Sequence, residues 1–496
     1  MWWPVVVALV LVCCPARQEA ANGANTATST AAMREAEKMI KGLNLSPSHK
    51  FNWGPSGTSL ASRFDSNEST ALVEKVFKID SLADDPVIQS LGRHHVGYYK
   101  LPTAAQARMF YYFFESRTNQ SQPLVIWLSG GPGCSSALAL FYENGPFQIA
   151  KNMSLVWNYY GWDKVSNIIF IDQPTGTGFS YSSSKKDIRY DESGISNDLY
   201  AFLQEFLKAH PEFVKNEFYI TGESYAGHYI PALASRIHQA NKMKRGIRIN
   251  LKGMAIGNGM TNPELQYAAY PDFALTQKLI TQPLYHNLTL LVPSCQEAVR
   301  QCNKNMDGGK SCHSASNICQ DQIYDLIEEN MGNKNRYDVR KTCERGLLCY
   351  DFSSVETLLN DTSVKMALGV NEHIGFVSCS ETVYDAMASD WFKDQSHAFP
   401  RLLEDGIKLL VYAGEYDLIC NWLGNSRWVE ALEWSGKRGF AGAANARFVV
   451  DGEVKGTLKS YGALTFLKVH GAGHLVPMDQ PKASLEMLHR WMQSQL

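Results

Sequence analysis

Gly222-Glu223-Ser224-Tyr225-Ala226-Gly227 is the stretch of this sequence that decides its fold. Residues 217–221 before it are aromatic and β-branched and predict a buried strand, whereas residues 228–238 after it are typical of a helix. The hexapeptide therefore places Ser224 on a sharp strand-to-helix turn between small residues. Such a turn pushes the serine hydroxyl out over the edge of a sheet, where it is available as a nucleophile.

Strands that alternate with helices are predicted on both sides of this turn. Five further apolar runs have the length of strands, and they span residues 124–129, 167–172, 251–257, 407–413 and 464–470. Residues 191–210 carry apolar side chains at helical spacing. The alternation predicts a mostly parallel, twisted central sheet with helices on both faces. Combined with the serine turn, this pattern is typical of the α/β-hydrolase fold.

Changes in amino-acid composition along the chain predict the domain organisation. Residues 1–21 join a short apolar run to small residues, which predicts a secretory signal peptide, with an N-terminal anchor as the alternative. Residues 22–80 are polar and predict a pro-segment, or alternatively a disordered tail of the mature protein. We expect the core at residues 81–261 and 390–496. The stretch between them, residues 262–389, is rich in cysteine and predicts an inserted, disulfide-stapled, mainly helical cap.

The charge and the remaining sequence patterns exclude some functions. The formal net charge of -2 gives no indication of binding to nucleic acid or to an anionic membrane surface. After the signal, no run of about 18 consecutive apolar residues predicts stable membrane insertion. Asn-x-Ser/Thr acceptors predict glycosylation in a secreted chain, with one or two unused acceptors as the alternative. They are Asn44, Asn67, Asn119, Asn152, Asn287 and Asn360.

The cysteine count predicts a free thiol. The chain has 11 cysteines, and removal of Cys13 and Cys14 with the signal leaves nine. An odd number in an oxidising compartment leaves at least one cysteine unpaired. A zinc site is the alternative, but the spacings lack the tight Cys-x2-Cys pairs of zinc motifs.

A serine nucleophile needs a general base and a carboxylate that orients the base. Asp417 follows the predicted strand 407–413, and His474 follows the predicted strand 464–470. Both residues are therefore expected at the same sheet edge as Ser224, and the chain order Ser, Asp, His is that of the α/β-hydrolases. The sequence predicts a Ser224–His474–Asp417 triad.

A glycine-rich stretch after the first predicted strand is a candidate oxyanion hole. Ser129-Gly130-Gly131 lets backbone N–H groups approach a substrate, and this fold takes a second N–H from the residue after the nucleophile. These considerations nominate Gly131 and Tyr225. A phosphate loop is the rejected alternative, because no Gly-Lys-Ser/Thr follows.

Five blocks of the sequence resemble the serine carboxypeptidase family, most closely its plant type III and yeast vacuolar (carboxypeptidase Y-like) branch. They are residues 130–136, 172–181, 222–227, 417–422 and 470–474. Ala226 departs from a strict Gly-x-Ser-x-Gly motif, but the family that the sequence resembles has alanine at this position of the motif. The resemblance implies a serine-type carboxypeptidase that removes single, preferably hydrophobic, C-terminal residues from peptides and proteins at acidic pH. It implies no metal and no organic cofactor.

The resemblance also assigns residues to substrate binding. It places the substrate carboxylate on Ser129, Gly130, Glu143 and Glu223, with Ser129 where the family often has asparagine. Two nearby carboxyls cannot both ionise cheaply, so the pKa of at least one should be raised. The remaining assignments form apolar walls of the substrate pocket, with core packing as the alternative for Trp391 and Tyr267. They are Tyr225, Tyr267, Tyr270, Trp391, Ile419 and Cys420 on one side, and Leu138, Tyr142 and Leu475 on the side of the leaving residue.

Further implications of the resemblance concern disulfides, destination and competing functions. It pairs Cys134 with Cys379, Cys295 with Cys319, Cys302 with Cys312 and Cys343 with Cys349, and it leaves Cys420 free. The expected destination is a vacuole or lysosome-like compartment, or else the extracellular space, and the expected state is a monomer or homodimer. One alternative function is an acyltransferase using sugar esters, a branch that usually has aspartate where Glu223 stands. The other is a protective binding protein for other hydrolases.

Overall fold

The computed structural model describes residues 73–76, 94–150, 153–305, 309–343 and 349–496. The predicted signal peptide lies outside these residues, as do Asn44, Asn67, Asn152 and most of the predicted pro-segment. The sheet nevertheless begins within that segment, because residues 73–76 form an edge strand. The folded part of the chain thus starts earlier than residue 81, where the sequence analysis placed it.

The described strands form one large sheet and two short hairpins. In chain order they are β1 (Val73–Val76), β2 (His94–Lys100), β3 (Arg108–Phe114), β4 (Leu124–Leu128), β5 (Phe147–Ile149), β6 (Leu155–Trp157), β7 (Asn167–Ile171), β8 (Phe218–Glu223), β9 (Leu251–Gly257), β10 (Lys334–Asn335), β11 (Asp338–Thr342), β12 (Lys408–Gly414), β13 (Ala446–Val450), β14 (Glu453–Tyr461) and β15 (Leu464–Val469). The 11-stranded sheet has the order β1-β2-β3-β7-β4-β8-β9-β12-β15-β14-β13.

The centre of the sheet is parallel and its edges are antiparallel. Strands β7, β4, β8, β9, β12 and β15 run parallel, and they correspond to the six apolar runs in the sequence. Strand β4 shows why these runs were recognisable: all five residues of Leu124–Leu128 are buried, since helices cover both faces of a parallel sheet. The antiparallel strands β1, β2, β3, β13 and β14 were not predicted.

Sixteen α-helices lie within the described residues, named in chain order. They are α1 (Ala137–Tyr142), α2 (Glu192–Ala209), α3 (Ala226–Lys242), α4 (Pro263–Tyr267), α5 (Tyr270–Thr276), α6 (Gln282–Lys304), α7 (Lys310–Ala315), α8 (Asp325–Asn330), α9 (Ser353–Asn360), α10 (Thr362–Leu368), α11 (Glu381–Ala386), α12 (Phe399–Glu404), α13 (Trp422–Ala431), α14 (Lys437–Gly442), α15 (Val476–Asp479) and α16 (Pro481–Met492). Within the described part of the chain, no helix has both the length and the hydropathy that a membrane span would need.

Helices α2 and α3 pack on one face of the sheet, and α1 and α16 pack on the other. Helix α2 shows the sequence basis of this packing. Ile195, Leu199 and Phe202 are spaced three and four residues apart, so they form one buried stripe. The side chain of Asp191 caps the helix by accepting a hydrogen bond of 2.8 Å from the Gly194 N–H.

The predicted cap, residues 262–389, holds α4 to α11 and the hairpin β10–β11 between β9 and β12. It has its own apolar core and the disulfides Cys295–Cys319, Cys302–Cys312 and Cys343–Cys349. A fourth disulfide, Cys134–Cys379, joins the cap to the loop after β4. These pairings are those that the family resemblance implies. The free cysteine among the described residues is Cys420, which is buried.

Candidate active site

The turn that carries Ser224 has the strained geometry of a nucleophile elbow. Ser224 joins β8 to α3 with φ 64°, a left-handed conformation that a non-glycine residue adopts only when its surroundings enforce it. The flanking glycines are required by space. A Cβ atom on Gly222 would lie 2.2 Å from the Leu128 carbonyl oxygen, and one on Gly227 would lie 2.3 Å from that of Met260.

The structure brings Asp417 and His474 together at the same sheet edge. Asp417 follows β12 and His474 follows β15, and both side chains are buried. His474 Nδ1 lies 2.7 Å from Asp417 Oδ2, so the carboxylate fixes the orientation of the imidazole. Ser224 and His474 line one common cavity. The structure thus brings the three residues of the predicted triad to one site.

Asn258 is a site residue that the sequence analysis missed. It follows β9 directly, and its side-chain N–H donates a hydrogen bond of 2.8 Å to Asp417 Oδ2. Its Oδ1 accepts a 3.0 Å hydrogen bond from the Gly414 N–H at the end of β12. Asn258 therefore ties the carboxylate to the neighbouring strand. The available signal was its position, since it is a polar residue at the carboxyl end of a predicted central strand.

The hairpin β10–β11 of the cap also contacts the triad loops, which the sequence did not indicate. The Tyr337 carbonyl oxygen accepts a hydrogen bond of 2.7 Å from the His474 N–H. The Arg336 carbonyl oxygen accepts hydrogen bonds of 3.0 and 3.2 Å from the N–H groups of Leu418 and Ile419. One short hairpin thus holds the backbone on both sides of the Asp417–His474 pair.

The glycine-rich loop after β4 lies directly against the nucleophile elbow. A Cβ atom on Gly130 would be 2.4 Å from the Tyr225 backbone nitrogen, so only glycine permits this approach. Gly131 has φ +109°, a value that L side chains rarely adopt. The loop and the elbow therefore bring the N–H groups of Gly131 and Tyr225 to the same region, at the start of α3, where the helix dipole favours negative charge.

Glu143 and Glu223 form a buried pair of carboxyls that line the cavity. The two carboxyls lie close enough to affect each other's ionisation, so they cannot both be charged cheaply. Burial raises the pKa of both groups well above the usual carboxyl range, and their mutual repulsion raises the pKa of Glu223 further. The Oε2 atom of each has no hydrogen-bond partner among the described residues. Because both raised pKa values keep the carboxyls protonated at acidic pH, their O–H groups can donate hydrogen bonds to an anion.

Ser129 directly follows β4 and is also part of the cavity wall. Its hydroxyl oxygen accepts a hydrogen bond of 3.1 Å from the Trp127 indole N–H. Because the oxygen already accepts this hydrogen bond, the Ser129 hydroxyl proton is available for donation to another group.

The cavity has a volume of about 570 Å³ and brings together nearly all of the predicted substrate residues. Those that line it are Ser129, Gly130, Gly131, Leu138, Tyr142, Glu143, Glu223, Ser224, Tyr267, Tyr270, Trp391, Ile419, Cys420, His474 and Leu475. The Tyr225 side chain is an exception, because it is fully buried behind Trp391, with the two rings stacked 5.4 Å apart. Its expected place in the pocket wall is therefore corrected.

Several lining residues were not predicted, and most belong to the cap or its border. They are Met260, Gln320, Tyr324, Arg336, Tyr337, Tyr350, Phe352, Glu381, Tyr384 and Asp385. The folding of the cap places them at the cavity, and no spacing in the sequence signals that placement.

Cys420 is both a lining residue and the free thiol. Burial raises its pKa well above the usual value, and the negative charge of Asp417 adds to the effect.

The parallel sheet and the serine elbow define a hydrolase of the α/β class. The family model described as serine carboxypeptidase (Peptidase S10) matches residues 86–494. The chain is 57% identical over 467 residues to serine carboxypeptidase-like 48 of Arabidopsis thaliana, covering 93% of this chain and 89% of that protein. It is also 57% identical over 465 residues to serine carboxypeptidase 3 of Hordeum vulgare, covering 93% of this chain and 90% of that protein.

A solved structure of a relative agrees with these matches. The structure is that of Kex1(Δ)p, a prohormone-processing carboxypeptidase from Saccharomyces cerevisiae. It superposes with a TM-score of 0.73 and 27% sequence identity, covering 83% of this chain and 93% of that chain. The protein therefore belongs to the serine carboxypeptidase family, and its enzyme class is that of the serine-type carboxypeptidases.

Proposed function

We propose that this enzyme removes single, preferably hydrophobic, C-terminal residues from peptides and proteins at acidic pH. The observation that carries the proposal is the buried Glu143–Glu223 pair beside Ser224 in one cavity. A protonated pair donates hydrogen bonds to a terminal carboxylate, whereas an ionised pair repels it. Because the pKa of both carboxyls is raised, the binding form persists above the pH at which an ordinary carboxyl ionises.

The proposed reaction proceeds through an acyl-enzyme. The Ser224 hydroxyl oxygen attacks the last peptide carbonyl while His474 takes its proton, and the N–H groups of Gly131 and Tyr225 stabilise the oxyanion. His474 then gives the proton to the leaving amino acid as the peptide bond breaks. Water attacks the acyl-enzyme with His474 again as base, which releases the shortened peptide and restores Ser224. Asp417 orients the imidazole throughout.

The walls of the cavity support the proposed preference for hydrophobic side chains. Aromatic and aliphatic side chains such as Tyr267, Trp391 and Ile419 line one part, and Leu138 and Leu475 line another. Burying an apolar substrate side chain against such walls contributes roughly 1.5–3 kcal/mol. We expect this preference on both sides of the scissile bond.

The direct test is an assay of single-residue release from a library of peptides at acidic pH. The wild-type enzyme should release hydrophobic C-terminal residues one at a time, and Ser224→Ala should release none. Peptides with an amidated C-terminus are the matched control substrates, because they lack the carboxylate. Equal turnover of acids and amides, or residue release by Ser224→Ala, would contradict the proposal.

A sugar-ester acyltransferase is the competing activity on the same scaffold. Glu223, rather than aspartate, supports the peptidase, because it completes the carboxyl pair with Glu143. Assaying a blocked dipeptide and a glucose ester side by side distinguishes the two activities. Co-purification with other hydrolases would instead support a protective binding role.

We also propose that the chain enters the secretory pathway as a glycosylated proenzyme and acts in a vacuole or lysosome-like compartment, as a monomer or homodimer. The sequence of residues 1–21 and the disulfides support this proposal. Of the sequons among the described residues, Asn119, Asn287 and Asn360 are all exposed. The Asn360 amide nitrogen, however, donates to the carbonyl oxygens of Glu356 and Phe376. Peptide mapping after deglycosylation should therefore find Asn119 and Asn287 more fully modified than Asn360.

A further inference from the structure

A buried cluster of polar side chains lies behind the cavity, and the reaction proposed above does not use it. Its members are Glu192 at the start of α2, Tyr225 and His228 at the start of α3, and Asp390, which directly follows the cap. All four residues are at most 6% exposed. Potential ligand atoms of Glu192, His228 and Asp390 all lie within 4.8 Å of one another. Burying so many polar groups is costly, so the cluster requires an explanation.

Asp390 is the centre of this cluster. Its Oδ2 accepts a hydrogen bond of 3.0 Å from the Tyr225 hydroxyl, and His228 Nδ1 lies 3.1 Å from the same oxygen. Both contacts suit an ionised carboxylate, which can only accept, so His228 Nδ1 is the donor. Burial, reinforced by the charges of Asp390 and Asp191, raises the pKa of Glu192 well above its usual value. Glu192 is therefore a neutral neighbour and adds no second negative charge.

The Tyr225 ring connects this cluster to the cavity wall. It is stacked between the His228 ring, with centroids 4.4 Å apart, and the Trp391 ring, with centroids 5.4 Å apart. Trp391 lines the cavity, and its indole N–H donates a hydrogen bond of 3.0 Å to the Tyr267 hydroxyl, which is part of the same wall. Asp390 and Trp391 are adjacent in the chain. The same short segment therefore holds the phenol of Tyr225 and covers its ring.

We propose that Asp390 is a positioning residue that couples the cavity wall at Trp391 to the oxyanion donor at Tyr225. The inference rests on the proposed function, in which the Tyr225 N–H is one of the two oxyanion donors. A bulky substrate side chain pushes Trp391 against the stacked Tyr225 ring. Asp390 and His228 then hold the ring, so the N–H keeps its direction. The cluster should therefore act on kcat, and most strongly with bulky side chains before the scissile bond.

The first variant is Tyr225→Phe, which keeps the ring and the backbone N–H and removes only the hydroxyl that Asp390 holds. Because losing an entire oxyanion donor costs about 10²- to 10³-fold, we expect a displaced donor to lower kcat about tenfold. This loss should appear with phenylalanine before the scissile bond and be smaller with glycine there. KM should change less than about twofold, since binding is shared among many contacts.

Tyr219→Phe is the matched control. Tyr219 is buried near the start of β8, the strand that ends just before Ser224, and its hydroxyl is hydrogen-bonded to Glu217 at 3.0 Å and to the Met492 carbonyl at 3.3 Å. Its removal should lower the midpoint of thermal unfolding as Tyr225→Phe does, without the loss of kcat. If both variants have the same kcat as wild type, or both lose it equally, the positioning role is wrong.

Asp390→Asn and the double variant provide a second readout. Both Asp390→Asn and Tyr225→Phe weaken the same contact, so the loss of kcat in the double variant should be smaller than the product of the single losses. A double loss equal to that product would overturn the proposal. Ser224→Ala separates this result from the proposed function. If Ser224→Ala still releases residues, the proposed function itself fails; if it is inactive while Tyr225→Phe is unchanged, only the coupling through Asp390 fails.

Discussion

The carboxyl edge of the parallel strands and the cap, residues 262–389, both build the cavity, but they contribute different groups. The edge contributes Ser224, Asp417 and His474, each on a short loop directly after a central strand. The cap contributes aromatic walls such as Tyr267 and Tyr270, together with the hairpin β10–β11. The edge is held by the sheet and by Asn258, whereas three disulfides and an apolar core hold the cap.

The two regions are therefore subject to different structural constraints. Groups that move protons must lie within hydrogen-bond reach of one another, which loops after adjacent parallel strands can guarantee. Walls that bind a side chain need only shape and low polarity, and many sequences satisfy that requirement. We therefore expect substitutions at the edge to affect the chemical step and substitutions in the cap to affect substrate choice.

The largest expected effect comes from the edge. His474→Ala removes the proposed general base, and Asp417→Ala removes the group that orients it. By comparison with other serine hydrolases, kcat should fall about 10⁶-fold and about 10⁴-fold, respectively. Pre-steady-state and steady-state assays on a blocked dipeptide measure both losses. A loss below tenfold in either variant would contradict the assignment of the triad.

Asn258→Ala should produce the next largest effect. The variant leaves buried Asp417 without a hydrogen bond from a neighbouring strand, at a cost of roughly 1.5–3 kcal/mol, because the acceptor is charged. We expect kcat to fall about 10- to 100-fold with little change in KM. Asn258→Asp tests the same position with a repelling charge and should be worse. If Asn258→Ala raised KM alone, Asn258 would belong with the substrate walls.

A substitution in the cavity wall next to the cap should shift specificity, because its effect depends on the side chain before the scissile bond. Trp391→Leu shrinks an apolar wall, so kcat/KM for a peptide with tryptophan or phenylalanine before the scissile bond should fall by about 10- to 100-fold, corresponding to about 1–3 kcal/mol. Peptides with alanine at that place should lose much less. An equal loss for both peptides would indicate that Trp391 is a packing residue without a role in specificity.

The smallest effect is expected at Cys420, which lies at the border between the two regions. Its thiol lines the cavity, and its raised pKa keeps it protonated. Because the thiol lines the cavity, a mercurial that enters it should displace the thiol proton and bind the sulfur, so mercurials should inhibit the wild-type enzyme and Cys420→Ser should abolish that inhibition. Inhibition that persists in Cys420→Ser would place the reactive thiol elsewhere.

The same contrast explains what the sequence could predict. The six central strands are mostly apolar and buried, so their positions, and with them the loops of Ser224, Asp417 and His474, could be predicted from the sequence. The antiparallel strand β14 is mostly half-exposed and lacks such a run, and β2 and β3 are aromatic rather than aliphatic. The Tyr337 carbonyl that holds His474 belongs to the backbone of a two-stranded hairpin. No side-chain pattern encodes that contact, so it could not be predicted.

The pH dependence of KM tests most directly whether a protonated Glu143–Glu223 pair binds the substrate carboxylate. KM is measured across about pH 4.5 to 9.5, a range that includes the raised pKa of about 8 at Glu143, for one peptide as the free acid and as the amide, with wild type and with Glu143→Gln/Glu223→Gln. Because the raised pKa values keep the pair protonated at acidic pH, KM for the acid should be low there. It should rise as the pair ionises, whereas the amide and the double variant should show a much flatter profile. A wild-type KM for the acid that stays constant over this range, or that follows the same profile as the amide, would contradict the account.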